Sequence, residues 1–147
     1  MTINIKNRKA SFEYHILNTY TAGLSLLGTE IKSIRNNKAN ISDAYCTFVD
    51  EELYVKNLHI SEYTNGGYNN HEPKRDRKLL LNKIEINKLL GKVKEKGNSI
   101  IPIRLFINQT GRCKLEISLA KGKKIYDKRE SIKEKDLKRE NDRVRKI

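Results

Sequence analysis

A chain of 147 residues fits one compact domain and leaves little room for a second. Charged residues make up 33% and hydrophobic residues 37%, so a modest core under an ionic surface is expected. The formal net charge of +13 disfavours a cationic partner and points to a polyanion, nucleic acid first and an acidic membrane surface second.

The distribution of charge is more telling than its sum, because a genome-wide lysine bias would spread evenly. Residues 1–73 carry seven Lys/Arg against eight Asp/Glu, whereas residues 74–96 carry nine against three. Residues 121–147 carry twelve against six. The basic excess therefore lies in two blocks, with a smaller cluster of Lys6, Arg8, Lys9, Lys32, Arg35 and Lys38 near the start.

In chain order, residues 1–11 are a polar, basic lead expected to order against the body. Glu13–Leu27 is rich in strand formers and predicts two short strands, with Gly23 as a bend or bulge. Thr29 can cap a brief helix to about Asn36, with Ile31 and Ile34 inward and Lys32 and Arg35 outward. Tyr45–Asp50 and Leu53–Ile60 predict a hairpin, followed by a polar loop over Glu62–Asp76.

Asn82, with Glu85 three residues on, opens the clearest helix. Its apolar stripe is Ile86, Leu89, Leu90 and Val93, its other face carries Lys83, Lys88, Lys92 and Lys96, and Gly97 can end it. Ile100–Ile107 predicts a strand in which Pro102 calls for an edge or a bulge. Cys113–Ala120 alternates apolar and polar residues as a half-buried strand does.

About six turn-connected strands and one solid helix predict a mainly β fold, a small antiparallel barrel of oligonucleotide-binding type with accompanying helices. That body should span residues 1–120. Residues 121–147 hold too few apolar groups to offset the roughly 1–2 kcal/mol per residue of backbone ordering. They form a basic tail, expected to be disordered when free and helical on a partner.

Catalytic signatures are missing: the sequence has no nucleophile elbow, no P-loop and no HExxH, and its acids are scattered. His15 and His59 fall on strands, His15 reading as structural and His59 as a packed or rim residue, while His71 sits in the polar loop, where it could stack on a base but reads first as an ordinary loop histidine. Cys46 and Cys113 lie on apolar strand phases without metal-ligand spacing and read as buried thiols in a reducing cytosol. No metal, cofactor or enzymatic activity is expected. The start lacks an apolar signal core and no apolar run approaches about 18 residues, so a cytoplasmic protein with no membrane partner is expected.

The ingredients for RNA binding are present. Arg75, Arg77 and Lys78 stand beside the long loop, where Tyr63 and Tyr68 supply flat faces. Lys121, Lys123, Lys124, Lys128 and Arg129 surround Tyr126. The residues alone lead to a basic, RNA-binding barrel.

An ordered set of segments carries a resemblance. They include Asn7-Arg8-Lys9-Ala10, Gly28-Thr29-Glu30-Ile31-Lys32-Ser33-Ile34-Arg35, Lys38-Ala39-Asn40-Ile41-Ser42-Asp43-Ala44-Tyr45 and Asn57-Leu58-His59-Ile60. His71-Glu72-Pro73, Arg75-Asp76-Arg77-Lys78-Leu79-Leu80-Leu81 and Lys121-Gly122-Lys123-Lys124-Ile125-Tyr126-Asp127-Lys128-Arg129 complete it. Together they resemble the SmpB family, which binds transfer-messenger RNA in bacterial trans-translation.

The resemblance implies a closed barrel that binds the tRNA-like domain of that RNA and stands in for an anticodon arm. The tail would enter the ribosomal decoding centre and the empty messenger channel, and the free protein would be a monomer. Asn7, Leu80 and Lys114 match positions linked to RNA binding. Gly122, Lys123, Lys124, Tyr126, Asp127, Lys128 and Arg129 match the stretch linked to ribosomal function. Thr21 stands where the family usually has an acid, and a tail ending at Ile147 implies a shorter reach along the channel.

Overall fold

The computed structural model describes residues 3–64, 66–95 and 97–123, with the side chain of Tyr68 left aside. Among these residues nine strands and three α-helices follow one another: β1 (Asn4–Lys6), α1 (Ala10–Glu13), β2 (Tyr14–Leu24), α2 (Gly28–Arg35), β3 (Ala39–Asn40) and β4 (Tyr45–Val49). Then come β5 (Glu52–Lys56), β6 (His59–Ile60), β7 (Arg77–Leu80), α3 (Lys83–Val93), β8 (Asn98–Ile107) and β9 (Cys113–Gly122).

The main sheet is antiparallel and runs β1-β8-β4-β5-β7-β2-β9, and β9 pairs again with β8. That last pairing closes the sheet on itself from β8 through β4, β5, β7, β2 and β9 back to β8. Inward side chains fill the ring. Leu53, Val55, Leu105, Leu115 and Ile117 are fully buried, joined by Ile34 of α2 and Leu89 of α3. The mainly β class expected from the sequence is the class observed.

Several local expectations need correction. β2 is one long strand, and its irregularity lies between Ile16 and Asn18, not at Gly23. Gly23 stays paired, opposite both Leu80 and Lys114. Helix α2 begins one residue before Thr29. Glu30 accepts the Leu27 N–H at 2.8 Å, and the Thr29 hydroxyl is turned to His71 instead. The second strand of the hairpin stops at Lys56, since Asn57 takes a positive φ of 60° and redirects His59–Ile60 to pair with Ala39–Asn40. Arg77–Leu80, unassigned from sequence, is a strand between β5 and β2.

Other features match. Asp50 and Glu51, both at positive φ, form the two-residue turn that suits the twist of β4 and β5. The Asn82 side chain accepts the Glu85 N–H at 2.8 Å to cap α3. Pro102 sits at a register shift of β8 against β9, the bulge its missing N–H requires. β9 continues to Gly122, and Lys123 N–H donates to the Glu13 carbonyl at 2.8 Å, two residues beyond the expected strand end. Burial pushes the Cys46 and Cys113 thiols up, the latter to about 12, so both stay protonated at neutral pH.

Candidate nucleic-acid interface

Cross-strand register decides which side chains share the outside of the ring. Lys6, Arg104, Glu116 and Thr21 are successive partners across β1, β8, β9 and β2. Asn4, Phe106, Lys114, Gly23 and Leu80 make a second row that reaches β7. Between them lie Leu105, Leu115 and Ala22, all fully buried, so the two rows point outward.

The second row is built around a missing side chain. A Cβ at Gly23 would stand 3.3 Å from Leu80 Cβ and 3.7 Å from Lys114 Nζ. Glycine therefore lets an exposed leucine (53% accessible) and a lysine lean together from opposite neighbours. Arg35 of α2 and Arg112 of the β8–β9 turn line the same open depression of about 270 Å³. Three cations around one apolar side chain suit a sugar-phosphate backbone, with the leucine against a ribose or base.

The remaining candidates fall elsewhere. Arg8 and Lys6 line a separate depression with Asn37, while Lys9 is exposed and lies 3.8 Å from Asp43. Asn7 faces inward: its amide donates to the Pro102 carbonyl at 2.9 Å and its oxygen accepts the Lys9 N–H. It fixes the basic lead to the bulge of β8. Lys32 lies 5.4 Å from the centre of the Tyr63 ring. Lys78 is half-exposed and bridges to Glu52 at 3.0 Å.

Arg75 and Arg77 do not behave as free phosphate ligands. Arg77 is fully buried, its Nε donating to Glu30 Oε2 and its Nη1 to the Leu58 carbonyl. Arg75 donates to the other Glu30 oxygen at 2.6 Å. Burial pushes the Glu30 carboxyl up, but the bonds from Arg75, the Leu27 N–H and Arg77 outweigh it and hold the group below its ordinary value. Burial likewise pulls Arg77 down, opposed by Glu30. A cation with no exposed surface cannot meet RNA, so Arg77 is a structural residue. It clamps α2 to the segment before β7.

His71 is a second correction. It is buried, with Nδ1 2.9 Å from the Thr29 hydroxyl and Nε2 2.8 Å from the Ile60 carbonyl. With Asn70 bonded to both the N–H and the carbonyl of Tyr63, it pins the long polar segment to the body. Gly122 closes β9 opposite Tyr14. Lys124, Tyr126, Asp127, Lys128 and Arg129 lie outside the described residues, as does the expected fold of the tail.

Sequence reasoning missed Arg104, Phe106 and Arg112. Arg104 Nε donates to Glu116 Oε2 at 2.7 Å, and its guanidinium carbon lies 4.1 Å from the centre of the Phe106 ring. The signal available was parity: Arg104 and Phe106 flank the inward Leu105, but their neighbours across the sheet need the register. Among the described residues no His/Cys/Asp/Glu cluster could hold a metal ion, and no helix is long and apolar enough to cross a membrane.

A closed antiparallel sheet bearing a cationic, leucine-centred outer face defines a small β protein with a surface for a polyanion. The chain belongs to the SmpB protein family, whose model matches residues 4–147. It is 61% identical to the SsrA-binding protein of Phocaeicola vulgatus over 142 residues, 97% of this chain and 95% of that protein. The SsrA-binding protein of Cytophaga hutchinsonii is 59% identical, over 97% of this chain and 94% of the relative. A solved structure described as "tmRNA-SmpB: a journey to the center of the bacterial ribosome" matches with a TM-score of 0.72 and 43% identity, over 88% of this chain and 94% of its own.

Proposed function

We propose that this protein binds transfer-messenger RNA through its tRNA-like domain and delivers it to stalled ribosomes for trans-translation. The observation that carries the reading is the meeting of Leu80, Lys114 and Arg35 around Gly23, in a chain of this family. Asn7 acts one step back by holding the basic lead, and Arg8, Lys9, Lys32 and Lys78 add charge around the contact. The body stands in for an anticodon arm. The tail, with Gly122, Lys123, Lys124, Tyr126, Asp127, Lys128 and Arg129, probes the decoding centre and the empty messenger channel. The protein works as a cytoplasmic monomer and an adaptor, without catalysis.

Competition binding at moderate salt tests the first half. The tRNA-like RNA fragment should displace bound RNA well before an unrelated structured RNA of equal length does; equal displacement would leave only a general basic RNA binder. Removing residues 124–147 tests the second half. RNA binding should survive while tagging of stalled nascent chains in a reconstituted translation reaction is lost. Tagging by the truncated protein would refute the role of the tail.

A further inference from the structure

Nothing in a plain phosphate-binding surface calls for an aromatic ring beneath one of its cations. On the outer face of β8, Arg104 is held in two ways at once: Nε bonds Glu116 across the strand at 2.7 Å, and the guanidinium lies 4.1 Å from the Phe106 ring centre. Both contacts fix the plane of the cation, which keeps 36% of its side chain accessible. A guanidinium held over a ring and tied to a carboxylate is a pre-organised stacking surface, since little side-chain entropy remains to be lost when another π-system lands on it.

Its neighbours say what that π-system is attached to. Phe106 is the direct cross-strand partner of Lys114, and Arg104 that of Lys6. A strand of RNA crossing β1, β8 and β9 would thus meet an ammonium group on either side of the stack, Lys6 from β1 and Lys114 from β9. Paired bases in a duplex hide their faces, so only an unpaired nucleotide can use such a seat.

We propose that Arg104 and Phe106 form a stacking seat for one unpaired nucleobase of the RNA held by Lys114 and Leu80. The base lies on the open side of the guanidinium and extends the stack to three layers, with Glu116 keeping the middle layer level. Recognition through a π-face is tolerant of base identity, so the seat selects for an unstacked loop nucleotide and not for sequence. This inference rests on the RNA-binding reading above and sharpens it by naming the kind of nucleotide engaged.

The test uses the full-length protein and the tRNA-like RNA fragment, titrated over a series of salt concentrations. Arg104→Lys keeps the charge and removes the plane; Phe106→Leu keeps an apolar side chain and removes the ring. Each should weaken binding about 5- to 150-fold, the range of losing one base stack, with no change in the slope of log affinity against log salt. Phe106→Tyr should bind as the parent does, and the Arg104→Lys, Phe106→Leu double variant should be no weaker than Arg104→Lys alone, because the ring acts only through the guanidinium it supports.

Parental affinity in both single variants would overturn the proposal and leave a sheet-stabilising pair. A loss in Arg104→Lys accompanied by a shallower salt slope would also overturn it, in favour of a phosphate contact. Should Phe106→Leu lower the unfolding midpoint, Arg104→Lys decides by itself. A parent protein that shows no preference for the tRNA-like fragment is the separate failure of the functional reading, whereas the seat is judged by variants against parent on the same RNA.

Discussion

Replacing Glu30 by Ala should be among the most damaging single changes in the body. The carboxylate is fully buried and is shared by Arg75 and by Arg77, itself fully buried. Taking away the acid leaves a guanidinium out of water with only carbonyl partners, those of Leu58, Glu72 and Pro73. Breaking a buried pair from one side costs about 3–5 kcal/mol. Set against a total of about 5–15 kcal/mol for a domain, this is a large share. For a chain of this size it should lower Tm by about 6–20 °C, at roughly 2–4 °C per kcal/mol. Urea unfolding followed by far-ultraviolet circular dichroism measures it, with the slope expected to stay constant. Replacing both partners, Glu30→Leu with Arg77→Met, should recover most of the loss, because apolar packing in place of a buried pair is often neutral. A loss below about 1 kcal/mol for Glu30→Ala would refute the argument that Arg77 depends on this carboxylate. Binding should fall with stability, since α2, which the cluster anchors, carries Arg35 to the interface.

Two further outcomes follow from the same geometry. The Glu30 carboxyl titrates lower in the folded protein than in the unfolded chain, so on acidification the unfolded state takes up the proton first. Its stabilisation is fully present above the ordinary carboxylate value of 4.5, is lost as pH falls from there through the lower folded value, and Glu30→Gln should flatten that part of the urea midpoint against pH profile. Gly23→Val should push Leu80 and Lys114 apart, with an overpacking cost of about 1–3 kcal/mol and weaker binding of the tRNA-like fragment; unchanged affinity would show that their close approach is unimportant.

Legibility in the sequence followed the range of the forces involved. Helix α3 could be read because its cap and its stripe are local, with Asn82, Glu85 and Leu89 within two turns. β9 showed its alternation and Pro102 its bulge for the same reason. Arg77 looked like one more member of a basic run. Its partner Glu30 lies 47 residues away, and only its parity with the buried Leu79 hinted that it faces inward. His71 was hidden likewise, held by Thr29 across 42 residues. Gly23 suggested a bend because glycine is permissive in φ, whereas here it makes room. At the interface, Leu80 and Lys114 came from family resemblance. Arg104 and Phe106 could not be found before β8 was registered against β1 and β9.

The closing seam of the ring joins the two ends of the body in time as well as in space. β2 is complete by Leu24, yet one of its two partners is β9, and the Ser118 hydroxyl bonds the Asn18 carbonyl across 100 residues. During synthesis at about 5–20 residues per second, β2 waits on the order of ten seconds for its mate to be made. Until then its inward residues, Ala22 among them, have no completed interior to enter. Such long-range pairing folds slowly, because loop closure must precede the contacts that reward it. The body should therefore acquire protease resistance late and all at once, only after residue 122 has been released from the ribosome that made it.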